Sequence, residues 1–208
     1  MTDAINTMLH AGRCEYAEYS PGELQRISGL TTDLQRVWRR RGQLVPHRKS
    51  GHAKFSPLEV VEITIRYALS KLGIPPGECE LDLFDAFSGA LFHALLNVDG
   101  ACEVFGPSED VDSFLADFAE SGRIAHYLAG SPSAANYLVV NEAHEVRIVD
   151  DPQYVFDKTD PFLLVVDLEL IGGRLVERGR KPIVAFYLPE RKGTRTVRRL
   201  TGLGANDC

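Results

Sequence analysis

Cysteine is scarce in this 208-residue chain: Cys14, Cys79, Cys102 and Cys208 are the only four, and no two are closely spaced. That excludes a disulfide framework and the paired-cysteine spacing of a zinc site, and fits a reducing cytoplasm. A meeting of Cys79 with Cys102 across a dimer is the alternative to buried or inert thiols. Long apolar runs are missing too. A membrane helix needs about 18 or more consecutive apolar residues, and neither such a run nor a charged-then-apolar leader occurs, so no membrane span and no signal peptide are expected. Catalytic spacings are also absent: there is no G-x-S-x-G, no H-E-x-x-H and no phosphate-binding glycine loop. Gly202-Leu203-Gly204 holds two glycines of a dinucleotide turn but follows no strand pattern. His93, His126 and His144 lie far apart, and His93 sits inside an apolar helical run, where a core role is expected. The sequence therefore points to no enzyme, no cofactor and no metal.

The formal net charge of −6 conceals a strong segregation. Residues 19–76 carry ten Lys and Arg against four Asp and Glu, residues 77–172 three against nineteen, and residues 173–208 nine against three. A basic segment releases counterions from nucleic acid, whereas the acidic middle is repelled by phosphate. The acidic middle reads as a solvated surface or as a face for a partner such as RNA polymerase or an opposing regulator.

The basic segment is also the most structured in pattern. Ser20-Pro21-Gly22-Glu23 is an N-cap serine, a proline at the first helical position and a glutamate at the third, which makes a capping box. Leu24 and Ile27 follow at helical spacing and Gly29 stops the helix. A second helix opens at Leu30-Thr31-Thr32, with Leu30, Leu34, Val37 and Trp38 on one stripe and Asp33, Gln35, Arg36, Arg39 and Arg40 on the opposite face. Trp38 is expected as a core anchor. Two short strand-like pieces, Leu44-Val45-Pro46 and Ala53-Lys54-Phe55, flank a basic turn, Arg48-Lys49-Ser50-Gly51-His52, and suggest a hairpin wing. Ser56-Pro57-Leu58-Glu59 is another proline-primed capping box. Its helix carries Leu58, Val61, Ile65, Leu69 and Leu72 on one face. A second apolar strip, Val60, Ile63 and Tyr67, needs a partner from outside this small unit and suggests a homodimer.

Tyr19-Ser20-Pro21-Gly22-Glu23-Leu24, Gly29-Leu30-Thr31, Arg36-Val37-Trp38-Arg39-Arg40-Arg41-Gly42-Gln43-Leu44 and Gly51-His52-Ala53-Lys54-Phe55-Ser56 resemble successive blocks of the MerR-type winged helix-turn-helix. The resemblance implies that the helix bearing Arg36 reads base edges in a major groove and that the hairpin from Arg48 to Lys54 contacts flanking phosphates. Gln35 stands where the family usually has an aliphatic residue, Val37 where it often has tyrosine, and Ala53 where the wing usually carries arginine. Candidate base contacts are then Arg36 and Arg39, with Thr32, Asp33 and Gln35 tuning the choice. Candidate phosphate contacts are Arg40, Arg48, Lys49, His52 and Lys54.

Beyond Gly73 the long dimerising helix usual in such regulators is not continued. Pro75-Pro76-Gly77 intervenes, and Leu81 to Leu96 is apolar on nearly all sides, the pattern of a buried helix. A second helix is expected from about Glu109 to Leu128. Strand patterns follow at Tyr137 to Val140, Glu145 to Val149, Phe162 to Leu170 and Ile183 to Leu188. Gly172-Gly173 reads as a hairpin turn leading into Arg174 to Glu177, with a helix over 167–178 as the competing reading. The fold class expected is α+β: an N-terminal winged helix-turn-helix (19–76) followed by a second domain (77–190) of helices and then a small, mainly antiparallel sheet. Residues 1–18 read as an extension and 191–208 as a basic tail. The function expected is a sequence-specific double-stranded DNA-binding transcriptional regulator, homodimeric and working in the cytoplasm at the nucleoid. The alternatives are a phage-type recombination accessory or architectural protein, and a ligand-responsive or protein-interaction module carried on a DNA-binding domain.

Overall fold

The structure is a computed structural model that describes residues 13–44, 53–76, 83–130, 135–154, 162–190 and 193–201. Seven helices and seven strands lie within them. In chain order they are β1 (Arg13–Tyr16), α1 (Pro21–Ser28), α2 (Thr32–Arg40), α3 (Pro57–Lys71), α4 (Phe84–Asn97), β2 (Cys102–Pro107), α5 (Ser108–Ser121), α6 (Arg123–Ala129), β3 (Tyr137–Asn141), β4 (Val146–Val149), β5 (Leu163–Asp167), α7 (Leu168–Glu177), β6 (Val184–Tyr187) and β7 (Thr196–Leu200). The class is α+β.

The centre of the molecule is α4. Every residue from Ala86 to Leu95 is buried, which accounts for its nearly uniform hydrophobicity. Helix α7 lies against it so closely that a methyl group on Gly172 would sit 2.1 Å from the Ala90 carbonyl oxygen, and on another side the segment before β3 comes close enough that one on Gly89 would sit 2.6 Å from the Ala135 carbonyl oxygen. Two sheets flank these helices. One has the order β1-β6-β2-β7, with β6 and β2 parallel and the other two pairings antiparallel. The other, β4-β3-β5, is antiparallel throughout. Helix α3 packs on both α4 and α7, so one continuous apolar core runs from Tyr19 to Leu188.

Four expectations are corrected. The hairpin at Gly172-Gly173 is a helix: Asp167 ends β5 and its carboxylate accepts from Leu170 N at 2.9 Å, capping α7. Gly172 marks a helix crossing, where a side chain has no room, whereas a methyl group on Gly173 would meet nothing nearer than 4.0 Å. The helix expected over 109–128 is two helices, because Gly122 has φ of +58° and ends α5 before α6 begins. After α4 the strands are interleaved with helices and fall into two sheets, where helices followed by a single sheet were expected. Finally, the supposed N-terminal extension supplies β1 and the supposed tail supplies β7, each the edge strand of a sheet whose partners lie far away in sequence.

Candidate nucleic-acid interface

The local chemistry of residues 19–76 builds the helix-turn-helix almost unaided. At α1 the Ser20 hydroxyl accepts from Glu23 N at 3.3 Å, and the Glu23 carboxylate accepts from Ser20 N at 2.7 Å, closing the capping box. Ser56 and Glu59 repeat this arrangement at α3. Gly29, with φ of +81°, makes the turn that L side chains resist, and its N–H bonds back to Gln25 O. Thr31 then caps α2 by accepting from Leu34 N. Tyr19 and Phe55, both fully buried, exchange main-chain hydrogen bonds of 2.8 and 2.9 Å and tie the entry of α1 to the entry of α3. Trp38 is 5 % exposed and meets the Tyr67 ring edge-on at 6.1 Å, as a core anchor should.

Across α2, Asp33, Arg36 and Arg40 are exposed and Thr32 and Arg39 half-buried. Arg36 Nη1 bonds the Asp33 carboxylate at 2.7 Å with both side chains in water. Arg39 Nε reaches the Gln35 carbonyl at 3.4 Å. Arg41, absent from the candidate set, is exposed at the C-cap and extends the same cationic strip.

Gln35 does not belong on this face. It is fully buried, and its amide nitrogen donates to the Pro21 and Leu30 carbonyls at 2.9 Å each, knitting the two helices at their turn. At about 100° per residue, positions 35 and 38 lie only about 60° apart on the helix, so Gln35 shares the inward arc of Trp38. Polarity had placed it outside; spacing places it within. Its carbonyl oxygen has no hydrogen-bond partner among the described residues.

In the wing, Arg48, Lys49 and His52 lie outside the described residues, and so does the tip of the expected hairpin. Lys54 is half-buried beside the Tyr19–Phe55 bridge, while Ala53 packs on the core. The second apolar strip of α3 is accounted for within the chain. Val60 and Ile63 are buried in the common core, where α4 and α7 meet α3, so this strip offers no dimer surface. Cys79 lies outside the described residues and Cys102 is fully buried, which removes the second of the two thiols considered for a contact across a dimer.

Sequence reading missed the device that orients the unit. Lys181, in the turn between α7 and β6, donates from Nζ to Glu23 Oε1 and to the Glu18 carbonyl, both at 2.7 Å, and lies 4.3 Å from the Tyr19 ring centroid. Arg26 on α1 donates to the carbonyls of Arg178 and Gly179 in the same turn. Partial burial opposes charge on Glu23, but hydrogen bonds from Lys181 and from the Ser20 backbone and hydroxyl, helped by the lysine charge, hold its pKa down at about 2. No local signal announces a partner 158 residues away. Elsewhere, an open groove of about 300 Å³ lies between the end of α3 and the β3–β5 edge, lined by Leu72, Ile74, Val140, Phe162 and Leu164 with Glu142 and His144. Among the described residues no cluster of three or more His, Cys, Asp and Glu could hold a metal ion, and no helix is long and apolar enough to cross a membrane.

Residues 19–81 match the family model for MerR HTH family regulatory proteins. The N-terminal part of the chain is therefore a MerR-type helix-turn-helix DNA-binding domain, and such a domain marks a DNA-binding regulator of transcription. The match leaves residues 82–208 uncovered, and no curated protein matches the chain.

Proposed function

We propose that the chain is a sequence-specific regulator that binds double-stranded DNA as a homodimer, with α2 in the major groove and Arg36 as the leading base contact. The observation that carries this reading is the split of α2. Asp33, Arg36 and Arg40 are exposed to water, while Gln35 and Trp38 lock the other side to α1 and α3. A rigid helix with a solvent-exposed guanidinium in its middle, paired with a neighbouring exposed carboxylate, suits bidentate readout of a guanine edge. Arg39 is the second base-contact candidate; Arg40 and Lys54, together with Arg48, Lys49 and His52 of the wing sequence, act as phosphate anchors in this scheme, and Thr32 and Asp33 flank the base contacts. Asp33 holds the Arg36 side chain in the free protein and gives it up on binding. Two copies are invoked because one winged domain reads only a few base pairs, and paired half-sites supply the rest.

Binding of Arg36→Ala to a panel of operator variants tests the assignment. Loss of a base contact should cost about 1–3 kcal/mol and relax one position of the site. An equal loss on every sequence would make Arg36 a phosphate anchor. A second reading, a ligand-responsive regulator, draws on the groove at the end of α3, where Leu72 is 60 % and Phe162 69 % exposed. A rise in melting temperature with a small apolar acid or amide, lost in Phe162→Asp, would favour it.

A further inference from the structure

Among the described residues, the outer edge of β1 is an open ladder. The sheet order makes β1 an edge strand, no described strand pairs with its other side, and all four of its residues are exposed. Which main-chain groups face outward follows from the pairing. Leu188 N donates to Phe105 O and Val184 N to Ala101 O, so within β6 even-numbered residues face β2 and odd-numbered ones face β1; Ile183, just before the strand, turns only its carbonyl to β1, its N–H donating to Ala101 O at 2.7 Å. Ala17 N accordingly bonds Ile183 O, and the pairs Arg13–Tyr187 and Glu15–Ala185 fall in the same hydrogen-bonded phase. The N–H and C=O groups of Cys14 and Tyr16 are therefore the ones that point away from the sheet. The strand has neither a proline nor a bulge to blunt it.

We propose that this edge is the homodimer interface: a second copy adds its own β1 antiparallel, with the two-fold axis at Cys14, to make one eight-stranded sheet. The inference rests on the homodimer reading above and names its surface. Strand phase and charge together choose the register. Two-fold pairing that joins outward-facing groups must be centred on Cys14, Glu15 or Tyr16. Centring on Tyr16 would set Arg13 against the partner's Tyr19, which is fully buried and already bridged to Phe55. Centring on Glu15 would oppose two glutamates. Centring on Cys14 lets Cys14 exchange both its hydrogen bonds with the partner's Cys14 and sets Arg13 opposite the partner's Glu15, twice by symmetry. Arg13 and Glu15 already form an ion pair within one chain, and the Arg13 guanidinium lies 5.1 Å from the Tyr187 ring centroid, so both charges are posed on one face of the sheet. The dimer would join two such pairs into a square of alternating sign.

Sedimentation of the full-length chain and thiol crosslinking test this together. In a chain carrying Cys79→Ser and Cys208→Ser, buried Cys102 is the one thiol beside Cys14. Paired Cys14 residues would have Cα atoms about 5.5 Å apart, so a short bis-maleimide should give a covalent dimer, lost on Cys14→Ser. Arg13→Glu and Glu15→Arg should each weaken dimerisation at least tenfold with the melting temperature of the monomer fold unchanged, and the double swap should restore it. A wild-type chain that sediments as a monomer overturns both this interface and the homodimer reading. A dimer that ignores the charge swap and gives no Cys14 crosslink overturns the interface alone.

Discussion

Glu23→Gln isolates the clamp between α1 and the turn after α7. The carboxylate has an ordinary pKa of 4.5 and is held at about 2 in the fold. A difference of about 2.5 units corresponds to about 3.4 kcal/mol at about 1.4 kcal/mol per unit. The Glu23 side chain is still 23 % exposed, and solvent screening reduces the expected gain to about 2 kcal/mol. The sign follows from the depressed pKa. Stabilisation is complete above pH 4.5, where the unfolded carboxyl is also ionised, and is lost as pH falls towards 2, where the folded one takes up its proton. Urea unfolding of wild type and variant should show a gap of about 2 kcal/mol at pH 7 that holds to about pH 5 and narrows steadily to pH 3. Lys181→Met combined with Glu23→Gln in a double-mutant cycle should return a coupling of about 1 kcal/mol. A gap below about 0.5 kcal/mol at pH 7, or one that stays level from pH 6 to pH 3, would refute the clamp.

Gly172→Ala places a methyl group 2.1 Å from a main-chain oxygen of α4, so the helices must part. A loss of about 3 kcal/mol in chemical unfolding is expected. Gln35→Ala removes two buried hydrogen bonds and should cost about 2–3 kcal/mol without shifting operator preference; a changed preference at unchanged stability would return Gln35 to the DNA face. Asp33→Asn dissolves an ion pair that is wholly in water, so stability should stay within about 0.5 kcal/mol, while DNA affinity rises on all sequences in a titration at fixed salt.

Short-range signals were the legible ones. Both capping boxes, the turn at Gly29, the buried α4 and the strands near Tyr137, Val146 and Val184 depend on residues within a few positions of one another, and pattern reading recovered them. Gln35 was misplaced because an amide looks like a surface group until the arc it occupies is compared with Trp38. Gly172-Gly173 was ambiguous for a physical reason: a turn favours glycine, and so does the helix crossing at Gly172, where a side chain has no room. Strands β1 and β7 gave no signal because edge strands carry charge on exposed positions, and the pairing of Arg13 with Tyr187 lies beyond any local window. The same distance hid Lys181. On the DNA side the helix-turn-helix itself was readable, since its capping signals are written in one continuous stretch.

The path of the chain around that stretch has a mechanical consequence. It leaves β1, which is stitched to β6, forms the reading head, and returns through α3, whose inner side is fastened to α4 and α7. A head on one leash can swivel; a head on two, with a lysine bolt at its base, keeps a fixed bearing. In the proposed homodimer, one base pair inserted between half-sites turns them by about 35° relative to each other, and a doubly tethered pair of heads has no slack to follow that rotation. Operators for such a protein should keep a strict spacing, and the rigidity that enforces it resides in the framework behind the DNA-facing surface.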